Sequence, residues 1–234
     1  MKSFYSLVSN GEHSVGCTGG SVYVFDKRGV ELAVFKDLTY AYDCAISPDG
    51  DVLAVKSTEG RLAVYSLKNL NLIKKFRFSQ VDGSQDDNFC FSPDGKELYN
   101  IERHTDSCKT ALSIYDTEDF SLKKRLFSEK VNMMLTCVEV DCAGNVYLTG
   151  FIRKEKSGVA HKWFVAKLAD GALSDVRYIS EKTHEFYSDY KKLELCGFSE
   201  KSVALSFFRD KKDELLKARG NQLSLAELWE KRGV

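Results

Sequence analysis

Ile46-Ser47-Pro48-Asp49-Gly50 and Phe91-Ser92-Pro93-Asp94-Gly95 are two copies of one pentapeptide, 45 residues apart, and they hold the only two prolines of the chain. Each follows a short apolar run and precedes another, the arrangement of a tight turn between antiparallel strands. Pro pre-sets φ at the first central position, Asp bonds nearby backbone, and Gly takes a conformation that a side chain would forbid. A period near 45 is the length of a four-stranded propeller blade.

Working outward, the two units stay in register. Val52-Leu53-Ala54-Val55 falls on Glu97-Leu98-Tyr99-Asn100-Ile101, and Arg61 to Tyr65 falls on Ala111 to Tyr115. Leu72 then meets Leu122, so the fourth strands run from Leu72 to Phe78 and from Leu122 to Phe127. Looser copies flank this pair. The first runs Phe4 to Val8, Ser14 to Thr18, Ser21 to Phe25 and Val30 to Phe35, with Gly19-Gly20 as a hairpin signal. The fourth runs Leu135 to Val140, Asn145 to Arg153, Trp163 to Leu168 and Val176 to Ser180, with Asp141-Cys142-Ala143-Gly144 in place of Ser-Pro-Asp-Gly. A fifth opens with Lys192 to Phe198 and Ser202 to Phe208.

The set resembles the WD-repeat and YVTN-type β-propellers, whose blades often read F-S-P-D-G-x-x-L at the first hairpin. The resemblance covers residues 3–208 and is best from 43 to 127. It departs from the WD pattern in lacking Gly-His, and Trp-Asp survives only as Phe25-Asp26 and Tyr115-Asp116. The expectation is an all-β, five-bladed propeller forming one domain over 1–234. Its blades are placed at 3–36, 40–79, 87–128, 134–181 and 191–209, the last incomplete, with a helical tail over 210–234.

That tail has two segments with helix signals. One opens at Asp210 and stops at Gly220; the other opens with Ser224-Leu225-Ala226-Glu227 and stops at Gly233. A rival reading makes Gln222 to Leu228 a third strand of the fifth blade. Trp229 is expected to dock the last helix on the barrel. An incomplete blade leaves an unpaired sheet edge, to be covered by the helices, by a second copy of the chain or by a partner.

Thirty-four basic residues balance thirty-four acidic ones, so no global field draws in a polyanion or an anionic membrane. No apolar run reaches the roughly 20 residues that span a bilayer, and the N-terminus has no apolar stretch of signal length. Seven irregularly spaced cysteines without a C-x-x-C pair suggest free thiols in a reducing compartment. The expectation is a cytoplasmic protein that binds neither nucleic acid nor membrane.

In the propeller families, ligands and partners meet the face reached by the loops from second to third strand and from fourth strand to the next blade. Carried onto this chain, that face includes Tyr40 to Asp43, Asp82 to Asn88, Arg103 to Lys109, Arg153 to Lys162, Tyr187 to Lys192 and Arg209 to Lys212. The binding candidates there are Tyr42, Asp43, Asp86, Asp87, Arg103, His104, Arg153, Lys154, His161, Tyr187 and Arg209. Acidic residues gather in the second blade's exit loop and basic ones in the later loops, a pattern that suits a charged protein partner. Asp82, Asp86 and Asp87 lack the spacing of a calcium loop. His104 and His161 sit in equivalent loops and, with Asp43 and Asp87, are the candidates for a metal- or carboxylate-assisted hydrolase or lyase. No nucleophile elbow, phosphate loop or dinucleotide fingerprint is present. The expected function is a non-catalytic protein-interaction scaffold, monomeric or paired edge to edge, without a cofactor. The alternatives are a small-molecule or sugar-binding propeller, or that enzyme.

Overall fold

Both Ser-Pro-Asp-Gly turns close by the same four contacts. The Gly50 N–H donates to the Ser47 carbonyl at 2.8 Å and the Gly95 N–H to the Ser92 carbonyl at 2.9 Å. Ser47 and Ser92 hydroxyls each accept from the backbone N–H five residues on, at 2.9 Å, and donate to Asp49 and Asp94. Those carboxylates also accept from the N–H of Asp51 and Lys96. Gly50 and Gly95 sit at φ 81° and 71°, which a side chain would resist. The serine hydroxyl, followed by the backbone N–H, holds each Asp carboxyl below its usual range. The turn is locked by its own side chains.

The computed structural model describes residues 4–79, 81–85, 87–104, 109–155, 157–190, 193–196 and 224–231. They form two compact units: Met1–Phe78 joined by a returning strand, and Ser79–Lys191 joined by a C-terminal helix. In the first unit, sheet one contains β1 (Ser6–Asn10), β2 (His13–Cys17), β3 (Val22–Asp26) and β4 (Glu31–Phe35). Sheet two contains β5 (Ala41–Ile46), β6 (Val52–Ser57), β7 (Arg61–Ser66) and β8 (Asn71–Arg77). In the second unit, sheet three contains β9 (Phe89–Phe91), β10 (Glu97–Arg103), β11 (Thr110–Asp116) and β12 (Leu122–Leu126). Sheet four contains β13 (Met133–Val140), β14 (Val146–Arg153), β15 (Ala160–Ala169) and β16 (Ala172–Ile179). In every sheet these four strands form an antiparallel meander in chain order.

The repeat extends to irregularities. The third and fourth strands slip register between Val64 and Tyr65 in sheet two, and between Ile114 and Tyr115 in sheet three. Leu70 and Phe120, in the following turns, both take positive φ, 52° and 55°. The middle strands β6, β7, β10 and β11 are almost wholly buried, while the fourth strands β8 and β12 face water. Lys74, Lys75, Lys123 and Lys124 lie on those outer strands and blunt their open edges.

Within each unit the sheets pack through their first strands. The first unit's core joins Val8, Val15 and Val24 to Leu53, Val55 and Leu67, and Phe35 stacks on Tyr65 at 4.1 Å. In the second unit Asn88 imitates a strand partner. Its carboxamide accepts from Val138 N–H at 2.7 Å and donates to the Val138 carbonyl at 3.2 Å.

Two sequence expectations need correction. The described residues form four sheets, not five. The fifth unit's first strand, β17 (Leu193–Cys196), pairs parallel to β1, making sheet one five-stranded. A free inner edge at β1 offers unpaired backbone groups, and the long intervening chain permits the parallel direction that a hairpin cannot. The expected strand Ser202 to Phe208 and the helix from Asp210 lie outside the described residues.

Second, the segment between the fourth and fifth units is a helix, α1 (Glu181–Tyr190), started by Ser180, whose hydroxyl accepts from Thr183 N–H at 3.1 Å. The second tail helix expected from the sequence is present: Leu225–Glu230 is helical (α2), which excludes the rival strand there. Ser224 and Glu227 close a reciprocal capping box, and the Leu225 N–H donates to Glu139 at 3.0 Å. This helix packs on the face of sheet four, against β14 and β15, rather than on a sheet edge. Leu225 and Leu228 are buried with Cys137, Tyr147 and Val165. Trp229 docks as its composition suggests: it lies 5.9 Å from the Tyr147 ring, under the Arg177 guanidinium at 4.2 Å, and its Nε1 donates to the Asp175 carbonyl.

Candidate functional site

The first unit carries a cleft where three connections of sheets one and two converge. The loop from β2 to β3 supplies Thr18, Gly19 and Gly20; the link from β4 to β5 supplies Thr39 and Tyr40, and the start of β5 supplies Ala41 and Tyr42; the turn after β6 supplies Thr58. Tyr5, just before β1, completes the wall. The cavity measures about 560 Å³.

Its geometry is fixed by backbone pairing. Gly19 and Ala41 exchange both hydrogen bonds, at 3.0 and 2.9 Å, as an isolated antiparallel bridge. The Tyr40 carbonyl accepts from Thr58 N–H at 3.1 Å, and the Ser57 hydroxyl donates to the Thr39 carbonyl at 2.7 Å. Held on both sides, Tyr40 takes φ 53°, a left-handed conformation uncommon for a bulky residue. Its side chain is thereby turned outward, 61% exposed. Tyr5 is 54% exposed and its ring stacks on Tyr42 at 5.5 Å and 30°. A Cβ on Gly19 would sit 3.3 Å from the Tyr5 ring, whereas one on Gly20 would meet open space.

None of the nine described lining residues is charged. The Thr18 hydroxyl donates to the Ser21 carbonyl and the Thr39 hydroxyl to Glu59, both at 3.0 Å, leaving their oxygens as acceptors. Tyr42, expected in a loop, is the second residue of β5 and lines the cleft. Tyr5, Thr18, Thr39 and Thr58 were not singled out by sequence, and Gly20 only as part of a hairpin turn. Only the repeat frame, which places the β2–β3 and β4–β5 connections on one side, hinted at them.

Asp43 is a correction. It was assigned to the loop face, but β5 begins at Ala41, and alternation turns Asp43 inward, 3% exposed. It accepts from the Ser6 hydroxyl at 2.8 Å and from Cys44 N–H at 3.0 Å. Fully buried Lys56 is its register partner on β6. Burial, then the neighbouring Cys44, pushes the Cys17 thiol well above its ordinary pKa.

In the second unit the charged candidates bind one another. Arg103 grips Asp87 with Nε at 2.9 Å and Nη2 at 3.4 Å, and Asp87 is only 6% exposed. His104 is buried, with Nε2 3.9 Å from Glu102. Fully buried Glu102 also accepts from Arg125 at 3.1 Å, from Asn100 at 3.1 Å and from the Tyr115 hydroxyl at 2.5 Å. Burial and the Arg125 charge lower the His104 pKa. His161 instead has Nδ1 3.0 Å from the Ile152 carbonyl. Arg153 lies over the Phe151 ring, and Lys154 starts the turn that closes on Val159 at 2.9 Å. Asp86 and Arg209 lie outside the described residues, and Tyr187 falls on α1. Among the described residues no cluster of three His, Cys, Asp or Glu has metal-holding geometry. No described helix is long and apolar enough to cross a membrane.

The fold is propeller-like. The chain is similar to hydrazine synthase of Kuenenia stuttgartiensis, a protein containing a β-propeller, with a TM-score of 0.62 and 18% identity. The alignment covers 77% of this chain and 50% of that one, so this chain spans about half the length of that structure. In all, 1226 solved chains match, and a fold shared so widely specifies no single activity. No family model and no curated protein matches the chain.

Proposed function

We propose that this protein is a non-catalytic binding module that takes an uncharged ligand in the tyrosine-lined cleft of its first unit. The observation that carries this reading is the convergence of Tyr5, Tyr40 and Tyr42 on a cavity of about 560 Å³. That volume lies within the roughly 300–1,000 Å³ of small-molecule sites. A left-handed tyrosine supports the same reading, because backbone strain of this kind gathers at ligand clamps. The lining offers aromatic faces and hydroxyls but no carboxylate, imidazole, thiol or amine. Recognition suits that chemistry better than turnover. Buried free thiols at Cys17, Cys44 and Cys137 support a reducing, cytoplasmic setting.

Ligand-observed NMR with a library of neutral fragments tests the reading. Binders are expected to lose their signal against Tyr40→Ala and against Gly20→Val, which fills the cleft from a position with open space around it. Fragment binding that is unchanged in both variants refutes it.

A second reading, docking of a protein through charged loops, is favoured by the hairpin after β14. There Arg153, Lys154 and the 60% exposed Val159 stand together on the second unit. A partner held this way would be acidic, and Arg153→Glu with Lys154→Glu should abolish its retention while the cleft variants keep it.

A further inference from the structure

The cleft's chemistry narrows its ligand. We infer that it binds a neutral oligosaccharide, with one sugar ring laid on the Tyr5–Tyr42 stack and flanked by Tyr40. This inference rests on the cleft being the binding place.

Three features carry it. First, charge: none of the nine described lining residues is ionised, and the backbone N–H of Gly19 is consumed by Ala41, so no cation in the lining favours a phosphate or carboxylate over a neutral ligand. Second, shape: the Tyr5 and Tyr42 rings overlap at 5.5 Å, and Tyr5 and Tyr40 expose 54% and 61% of their surface. A tyrosine face carries negative charge density over its ring, and the axial C–H bonds of a pyranose present a flat, weakly positive face to it. Third, hydrogen bonding: six of the nine residues are tyrosine or threonine. Each hydroxyl has two lone pairs and a rotatable proton, and Thr18 and Thr39, having donated to the Ser21 carbonyl and the Glu59 carboxylate, present oxygens that accept. A polyol supplies both donors and acceptors to such a wall.

The competing occupant of an aromatic groove is a proline-rich peptide. Its prolines have carbonyls but no N–H, so it would leave the acceptor oxygens of Thr18 and Thr39 without donors. A polyhydroxylated ring satisfies them.

The experiment is isothermal calorimetry on the full chain with maltotriose, cellotriose and N,N′,N″-triacetylchitotriose, alongside a deca-proline peptide. At least one trisaccharide is expected to bind saturably. Tyr40→Ala should weaken it about tenfold, the loss of one flanking aromatic face, and Gly20→Val should abolish it. Thermal melting of each variant checks that the fold is kept. Trisaccharide binding untouched by both variants, or no binding by any of the three, overturns the inference. If neutral fragments or deca-proline still bind in a Tyr40-dependent way, the cleft stands as a site and only the sugar assignment falls. If nothing Tyr40-dependent binds, both readings fall together.

Discussion

Acidification should loosen the second unit through one residue, His184. It lies on α1, 6% exposed, with Nε2 2.8 Å from the Thr136 hydroxyl and its ring edge-on to Phe151 at 5.8 Å. Burial lowers its pKa from the ordinary 6.5 to about 4. In the unfolded chain the histidine takes its proton near pH 6.5; in the folded unit it resists until about pH 4. The unfolded state therefore binds more protons across that window, and stability falls as pH falls through it. The linkage integral gives a loss of about 1.2 kcal/mol between pH 7 and 5.5, and roughly 3 kcal/mol by pH 4. At ordinary urea sensitivities of about 1–3 kcal/mol/M, the first figure is a midpoint shift of about 0.4–1.2 M.

The assay is urea unfolding followed by tryptophan fluorescence. Both tryptophans, Trp163 and Trp229, belong to the second unit, so the signal reports the unit that holds His184. His184→Gln keeps a neutral hydrogen-bonding group beside Thr136 but cannot titrate. Other groups, including His104, titrate in both proteins and cancel in the difference. The wild type should lose stability relative to His184→Gln as pH drops from 7 to 5.5. A wild-type-minus-variant difference that is equal at the two pH values refutes the burial of a neutral His184.

Two further outcomes follow from packing. Asn88→Ala strips both partners from the buried Val138 peptide groups, so the second unit should lose about 2–5 kcal/mol, read from the same urea transition. Gly150→Ala would put a Cβ 2.1 Å from the Met134 carbonyl oxygen, so β13 and β14 cannot keep their spacing. Circular dichroism and soluble yield should show the second unit unfolded, while Gly20→Ala leaves both unchanged within about 0.5 kcal/mol of stability.

Much of the fold was legible because its determinants are local. Pro48 and Pro93 pre-set their turns, Ser47 and Ser92 lock them, and alternating burial follows from residue type within a few positions. The capping box at Ser224 and Glu227 was readable for the same reason. The helix α1 had a weaker local signal, Ser180 followed by Glu181, within a polar stretch that also reads as a connection.

The candidate site was less legible. Charged loop residues stood out in the sequence, yet Asp87 and Arg103 neutralise each other, and His104 is buried beside Glu102. Ion pairing depends on residues 16 positions apart meeting in space, which spacing alone does not disclose.

From its amino acids alone this chain declared its period, its turns, its strands and its balance of charge, because each is set by neighbours a few residues away. Tertiary structure alone decided that β17 returns to β1, that Asp43 faces inward, and that Tyr5 meets Tyr42 in an uncharged cleft. Those outcomes turn on which free edge and which aromatic faces come together across 37 residues or more, and such encounters are chosen by burial and hydrogen-bond satisfaction of the folded unit as a whole.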